Sequence, residues 1–468
     1  MTIWATTDQL TPTETEGLVR SLTDRVAQQL SDEIELRRQH DDDGESVTLD
    51  RDPLEQELLV GEYLTRELAL ISQARLRSGD APLSQAVDGD LRRRVLAELF
   101  AFGPLQPWME ADDVEEVDVN SHLHTFVTYG DGTKVDVGQL WPSPAALVAY
   151  QKRLVLRMGT GEGRLDTSSP ELTLQAPDGS RVVLVLGGPT EHGISTKPRI
   201  ALRRFNVRRL GIDELARRGL FPHDVIPFLR AIIQTGFTVL ISGGPRAGKT
   251  TFLIELCGLI SPDERIVTTE KALLELRLED FPERHPDTVA LHTRQANTEG
   301  VGEVGVRRLV ELTRRLNPDR VIVGELVEDE ALDMLDAASM CLRGSMATIH
   351  ARRPEGVLSR LAYYVAKSNT QLPEYAVWTL IADTVDFVIH IDVVRDQAGG
   401  KPVRRITQIR EIGGLGERGG VASTELWGMD ANRRLVQRAP LEPRHAREME
   451  LAGFDPTAFA PARGLAWT

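Results

Sequence analysis

The chain has 468 residues, 41% of them hydrophobic and 27% charged, a globular balance too long for one core and long enough for about three domains of roughly 150 residues. That excludes a peptide hormone, a knottin-like scaffold and a lone binding module, and with no run of about eighteen apolar residues no membrane-spanning helix is expected. Fifty-five Lys and Arg face 70 Asp and Glu, a net charge of −15; this opposes the broad basic field of non-specific nucleic-acid binders, so nucleic acid is not expected as the main partner.

The opening Met1-Thr2-Ile3-Trp4 and the Thr- and Glu-rich residues after it offer neither a basic n-region nor an apolar h-region, and the chain is expected to stay in the cytoplasm. Cys257 and Cys341 lie in apolar, helix-like stretches without C-x-x-C spacing and are expected as core thiols.

Residues 1–100 read as a helical N-terminal region. Thr13-x-x-Glu16 offers a capping box to a helix with Leu18, Leu22, Val26, Leu30 and Ile34 on one face. The acidic run Asp41-Asp42-Asp43-Gly44-Glu45 reads as a solvated loop. Asp52-Pro53 supplies an N-cap and N1 proline to a second helix with Leu54, Leu58, Leu68 and Ile71, and a third is expected over 91–100. Residues 101–212 change to short β-like runs, 114–120, 124–129 and 181–186, separated by turns such as Gly130-Asp131-Gly132 and Pro177-Asp178-Gly179, and read as an α+β domain. Residues 213–394 alternate strand-like runs, 237–241, 265–269 and 320–324, with amphipathic helices, which predicts a mainly parallel α/β sheet. Residues 395–468 are rich in Arg, Gly and Pro, with weak strand runs and a short helix near 444–452, and read as a small C-terminal appendage.

The chemistry concentrates in Gly243-Gly244-Pro245-Arg246-Ala247-Gly248-Lys249-Thr250-Thr251, a G-x-x-x-x-G-K-T motif between a strand-like run and an apolar helical one. In that context backbone N–H groups at a helix N-terminus cradle phosphate oxygens, Lys249 reaches the β- and γ-phosphates and the Thr250 hydroxyl ligates Mg²⁺. Downstream, Arg320-Val321-Ile322-Val323-Gly324-Glu325 is a hydrophobic strand ending in a carboxylate, expected on a strand neighbouring the P-loop strand, where Glu325 would orient Mg²⁺ or activate water. Between them, Thr268-Thr269-Glu270 ends another strand in a carboxylate that is uninformative alone. His350 follows the apolar stretch 346–349, where a lone histidine is more often structural.

The order of P-loop, "RIVTTE", "NPDRVIVGEL", "EALDMLDAA" and "GSMATIHARRPEGVLSRL" resembles the ATPases of type II and type IV secretion systems, and most of all the CpaF-like ATPases of tight-adherence pilus machinery. Upstream, "FAFGPLQPWMEADDVEEVDVN", "GRLDTSSPELTLQAPDGSRVVLVL" and "IALRRF" are similar to that family's N-terminal domain, so the resemblance spans about 54–392. It implies a RecA-like P-loop NTPase core behind an N-terminal α+β domain and a helical extension, working as a homohexameric ring with ATP and Mg²⁺ and docking on an inner-membrane platform protein. It further implies that Glu270 is the acidic-box glutamate, Glu325 the Walker B glutamate and His350 the histidine-box histidine. Arg181, Arg203 and Arg204 fall where the N-terminal domain supplies arginines to the phosphates; read as bare residues they are solvated strand-face charges.

The sequence departs from this pattern in places. The family's acidic-box Glu-Asp is Glu270-Lys271 here, Pro245-Arg246-Ala247 replaces the Thr-Gly-Ser of its usual P-loop, Val327-Glu328 stands after the Walker B glutamate in place of Arg-Gly, and Met340-Cys341-Leu342-Arg343-Gly344-Ser345 lacks most polar groups of the segment before the histidine box. Proline removes a backbone donor, and Arg246 fills room that glycine leaves free. The expected function is therefore a cytoplasmic ATPase driving pilus assembly or protein secretion. The alternatives are a nucleotide-binding scaffold subunit with weak turnover, which the altered acidic box favours, and a DNA translocase, which the charge opposes.

Overall fold

The computed structural model of the chain describes residues 10–39, 53–158, 164–188, 194–205, 210–271, 274–294, 301–327, 330–339, 344–368, 372–394, 403–416 and 419–459. The acidic run at 41–45, Asp52, Glu328 and Cys341 lie outside them. The chain divides into two compact units, Met1–Asn206 and Val207–Thr468.

The first unit opens with helices α1 (Pro12–Gln39), α2 (Pro53–Arg77) and α3 (Gln85–Phe100). Their apolar faces, Leu22 and Val26, Val60, Leu64 and Leu68, and Val87, Leu91 and Val95, close a core of their own. The capping box sits two residues upstream of the expected one. Thr11 Oγ1 accepts from the Glu14 N–H at 3.3 Å and Glu14 Oε2 accepts from the Thr11 N–H at 2.8 Å, because Pro12 takes the first helical position, where its missing N–H costs nothing.

After the short α4 (Gln106–Glu110), strands β1 (Val114–Ser121), β2 (His124–Tyr129) and β3 (Lys134–Gly138), helix α5 (Pro144–Met158), and strands β4 (Glu171–Gln175), β5 (Arg181–Val185) and β6 (Arg199–Arg203) complete this unit. The sheet order is β3-β2-β1-β6-β5-β4, with every neighbouring pair antiparallel. Alternation sets its faces: Val182 and Leu184 of β5 and Ile200 and Leu202 of β6 are buried with Leu147, Tyr150 and Leu154 of α5. Arg181 and Arg203 point the other way, exposed and directly opposite each other.

The second unit contains α6 (Ile212–Arg217), α7 (Ile226–Thr235), β7 (Val239–Gly243), α8 (Lys249–Cys257), β8 (Ile266–Glu270), β9 (Thr288–His292), α9 (Val306–Thr313), β10 (Arg320–Leu326), α10 (Glu330–Ser339), β11 (Met346–His350), α11 (Val357–Lys367), α12 (Glu374–Thr384), β12 (Phe387–Val394), β13 (Val403–Leu415), β14 (Val421–Met429), β15 (Leu435–Gln437) and α13 (Pro443–Leu451). The nine strands form one sheet ordered β15-β14-β13-β12-β7-β11-β10-β8-β9. From β12 to β9 all pairs are parallel. With β9 set aside as an edge addition, the parallel strands counted in chain order run 5-1-4-3-2, the order of a RecA-like P-loop core. Every residue of β7 and β8 is buried, as a sheet covered on both faces requires.

Two expectations change. Strand β11 separates β10, which carries Glu325, from the P-loop strand β7, so these two are not neighbours; the crossover after β10 brings the next strand of the chain between them. The described residues beyond 395 also continue the same sheet: β13 lies antiparallel on β12, and β14 and β15 follow. Ile406, Ile409, Trp427, Met449 and Phe459 share a core with Val239 and Ile241 of the P-loop strand. Register breaks between Ile409 and Arg410 and between Ile412 and Gly414 interrupt the two-residue alternation, which is why these strands look weak in the sequence.

Helix α13 is held by a buried charge cluster. His445 is 1% exposed, with Nδ1 at 2.7 Å from Glu411 Oε1 and Nε2 at 3.2 Å from Asp386 Oδ1. Burial pushes its imidazole down, but the hydrogen bonds and charges of Asp386 and Glu411 outweigh this and hold its pKa at about 9. Asp386 Oδ2 also accepts from the Thr238 N–H at 2.8 Å, tying the cluster to the entrance of β7. Cys257 is a buried free thiol, and among the described residues no helix is long and apolar enough to cross a membrane.

Candidate nucleotide-binding site

The sequence between β7 and α8 makes a loop that only particular residues can form. A Cβ on Gly243 would lie 2.2 Å from the carbonyl oxygen of Ile391 on β12, so the strand can approach only at glycine. Gly248, the N-cap of α8, has φ 91°. Arg246 adopts φ 61° without being glycine, a left-handed conformation that costs an L-residue roughly 1–2 kcal/mol. Pro245 and Arg246 are exposed and Ala247 is buried beneath them.

Lys249 begins α8 and is 7% exposed. Its Nζ donates to the Gly244 carbonyl at 3.0 Å and meets His350 Nδ1 at 3.1 Å. His350 ends β11 in register with Gly243, and its Nε2 lies 2.7 Å from Glu325 Oε1. An ammonium only donates, so Nδ1 accepts and the ring donates from Nε2–H to Glu325. Between Val323 and Leu326 the pairing of β10 with β11 slips, and this irregularity contains Glu325, in the way bulges re-aim a side chain. The Thr348 hydroxyl donates to the Gly324 carbonyl at 2.6 Å and pins the two strands there. The crossover strand thus links the P-loop lysine to the distant strand-end carboxylate through one histidine.

Glu270 ends β8 and is 5% exposed. Its Oε1 accepts from the N–H groups of Glu275 and Leu276 at 2.9 and 3.0 Å, so it caps the loop after its own strand. A Cβ on Gly324 would lie 3.0 Å from Glu270 Cγ; that glycine leaves the room the side chain uses. Burial pushes the Glu270 carboxyl up to about 8, with the two amides pulling the other way. Glu275, which sequence reasoning passed over, has Oε2 3.4 Å from the Thr250 hydroxyl. Its only signal was its position five residues after Glu270. Thr251 is exposed on the first turn of α8. Behind the loop, Ser242 Oγ lies 2.8 Å from Nδ1 of His390, whose imidazole burial pushes down. Inside α8, buried Glu255 accepts from the N–H groups of Leu210 and Gly211 at 3.0 and 2.9 Å. None of these three carried a motif.

Arg181, Arg203 and Arg204 belong to the first unit. Arg181 and Arg203 are exposed, whereas the Arg204 guanidinium donates to the carbonyls of Ala111 and Val114 and ties the end of β6 to the entrance of β1 in the middle of its own sheet.

The donor set fits Mg²⁺. The Thr250 hydroxyl and Glu275 carboxylate are hard oxygen donors 3.4 Å apart, and Glu325 is joined to Lys249 through His350. Among the described residues no group of three or more His, Cys, Asp or Glu could hold a metal alone, and Mg²⁺ bound through one or two protein oxygens plus substrate phosphates needs none.

The family model described as type II/IV secretion system protein matches residues 146–438. The chain belongs to this family. A Mycobacterium tuberculosis protein named for conjugal transfer is 31% identical to this secretion-system chain over 346 residues, covering 72% of it and 91% of the relative. The type IV secretion system protein VirB11 of Brucella suis biovar 1 is 26% identical over 329 residues, covering 64% and 86%. The crystal structure of the VirB11 ATPase from the Brucella suis type IV secretion system, in complex with sulphate, aligns at 25% identity with a TM-score of 0.34, covering 65% of this chain and 91% of that one. Membership places this type II/IV secretion chain among secretion ATPases, whose P-loop binds nucleotide.

Proposed function

We propose that the chain is a Mg²⁺-dependent ATPase that powers a type II/IV secretion machine, as a CpaF-like subunit of pilus assembly or protein export. It would work as a homohexameric ring, on the cytoplasmic side, through an inner-membrane platform protein. The observation that carries this reading is the chain Gly244 O–Lys249–His350–Glu325, with distances of 3.0, 3.1 and 2.7 Å. Two of the contacts of Lys249 are to a carbonyl and an imidazole, neutral acceptors that the β- and γ-phosphates of ATP outcompete by charge. As Lys249 turns to the phosphates, His350 loses its Nδ1 partner and the Glu325 hydrogen bond must readjust, so the carboxylate that would orient water is coupled to nucleotide arrival. Thr250, with Glu275 or Glu325, would hold Mg²⁺, which when bound neutralises charge on the phosphate oxygens. By the family resemblance Arg181, Arg203 and Arg204 are proposed as arginines that would serve the γ-phosphate, and Arg204 would have to leave its carbonyls to do so.

A second reading, a nucleotide-binding scaffold subunit with slow turnover, is favoured by Glu270, whose carboxyl is spent on backbone amides. Steady-state hydrolysis and direct nucleotide binding for wild type, Lys249→Ala and Glu325→Gln separate the two. The motor reading expects hydrolysis in wild type and its loss in both variants, with Glu325→Gln still binding. Binding without turnover above either variant selects the scaffold, and nucleic-acid-stimulated turnover would select a translocase.

A further inference from the structure

The P-loop turns at Arg246, a residue without glycine's freedom held at φ 61°. Something must hold that peptide, because an L-residue does not favour the left-handed region unaided. Its carbonyl accepts a hydrogen bond from Arg404 Nε at 3.1 Å. Arg404 belongs to β13, where it faces Val393 of β12, and β12 pairs with β7 so that Ile391 faces Gly243. Strand β13 is therefore joined to the P-loop strand through β12, across one register shift between His390 and Ile391, and this pairing places its arginine beside the loop. The same side chain passes beside Gly248, where a Cβ would meet Arg404 Cδ at 3.5 Å. One side chain from the C-terminal strands thus runs along both left-handed positions of the loop, φ 61° at Arg246 and φ 91° at Gly248.

We infer that Arg404 is a positioning residue of the nucleotide site: its Nε–H fixes the Arg246 peptide in the left-handed conformation, so that the amides after it stay aimed at the phosphates. The inference rests on the nucleotide-binding reading above and adds residues 403–415 to the machinery of that site. It also gives the unusual Pro245-Arg246-Ala247 loop a physical support, since the conformation glycine would adopt freely is enforced here by a hydrogen bond from another strand.

The test is a double-variant cycle in the full chain, read by the dissociation constant of a fluorescent ADP analogue with Mg²⁺. Arg404→Ala should weaken binding about tenfold, the scale of one lost charge-assisted hydrogen bond, and Arg404→Lys should not rescue it, because Lys keeps the charge but cannot place an Nε–H. In an Arg246→Gly background, where glycine holds the turn alone, the same Arg404→Ala change should cost less than about threefold. Equal losses in both backgrounds, rescue by Lys, or an affinity within twofold of wild type in Arg404→Ala would each overturn the inference. Hydrogen exchange without nucleotide gives a reading that does not depend on binding. The amides of 244 and 246–250 should exchange faster in Arg404→Ala than in wild type, and Arg404→Ala should add little to the exchange of Arg246→Gly, with the amides of 252–257 unchanged; unaltered exchange at 246–250 in Arg404→Ala refutes the positioning role. If wild type fails to bind the analogue at all, as Lys249→Ala is expected to, the nucleotide reading itself falls, and the exchange data still decide whether Arg404 holds the loop.

Discussion

Replacing His445 by Gln should destabilise the second unit and flatten its pH dependence. His445 is almost fully buried between Asp386 and Glu411, and Glu411 is 0% exposed, so the substitution leaves the buried Glu411 carboxylate without its cation, while Asp386 keeps Arg444 at 3.3 Å. Raising the imidazole from 6.5 to about 9 corresponds to about 3 kcal/mol at roughly 1.4 kcal/mol per unit, in line with the 3–5 kcal/mol typical of breaking a buried pair from one side. The folded pKa lies above the unfolded one, so this stability is fully present below about pH 6.5 and lost as pH rises through about 9. For a unit of this size about 3 kcal/mol corresponds to a fall of roughly 6–12 °C in Tm. Differential scanning calorimetry of the full chain at pH 6, 7.5 and 9.5 measures it. Wild type should lose Tm between the last two pH values, and His445→Gln should start low and change less. A variant within about 2 °C of wild type at pH 6, or one with the same slope above pH 7.5, refutes the account of a charged histidine holding α13 and the entrance of β7.

Gly243→Ala would set a Cβ 2.2 Å from the Ile391 carbonyl; since backbone must give way, a loss of more than about 2 kcal/mol is expected in chemical denaturation, with nucleotide affinity falling as well. Glu270→Gln mimics the protonated carboxyl that burial enforces. Because the folded pKa, about 8, is raised above 4.5, wild type loses stability as pH rises from 4.5 through 8, and the variant should match wild type near pH 4 and exceed its Tm by a growing margin up to pH 9; a variant less stable at both would show that the ionised form is the one bound by the amides of 275 and 276. His350→Ala should lower kcat at least tenfold while changing nucleotide affinity less than threefold, and an affinity loss as large as the kcat loss would place the histidine in binding alone.

The parallel core was legible because its strands are short buried runs alternating with helices: 320–324 falls inside β10, which runs two residues further, and 265–269 matches β8 displaced by one residue. The P-loop was legible because its glycines answer to backbone geometry, Gly243 to a contact with β12 and Gly248 to a positive φ, and such needs leave a mark on the residue type. What could not be read was adjacency across the sheet. The P-loop fold class led Glu325 to be expected next to the P-loop strand, whereas β11, later in the chain, inserts between them and turns His350 from a lone histidine into the bridge. The same limit hid Arg404 and Glu275, since a charged residue carries no sign of which strand it will meet.

The altered motifs acquire a common logic from these contacts. Where glycine is missing at Arg246, a hydrogen bond from Arg404 stands in for conformational freedom, and Glu270, followed here by Lys271, spends its carboxyl on the amides of 275 and 276. That use brings Glu275 to 3.4 Å from Thr250 and so keeps a carboxylate at the hydroxyl that would face Mg²⁺, although Glu270 itself is withdrawn from solvent. Under the proposed function, binding therefore depends on Lys249, Thr250 and a braced loop, while water activation falls to Glu325 through His350. Substitutions at Glu270 should then act mainly through the 270–276 loop and the pH dependence of stability, and substitutions at Glu325 through turnover.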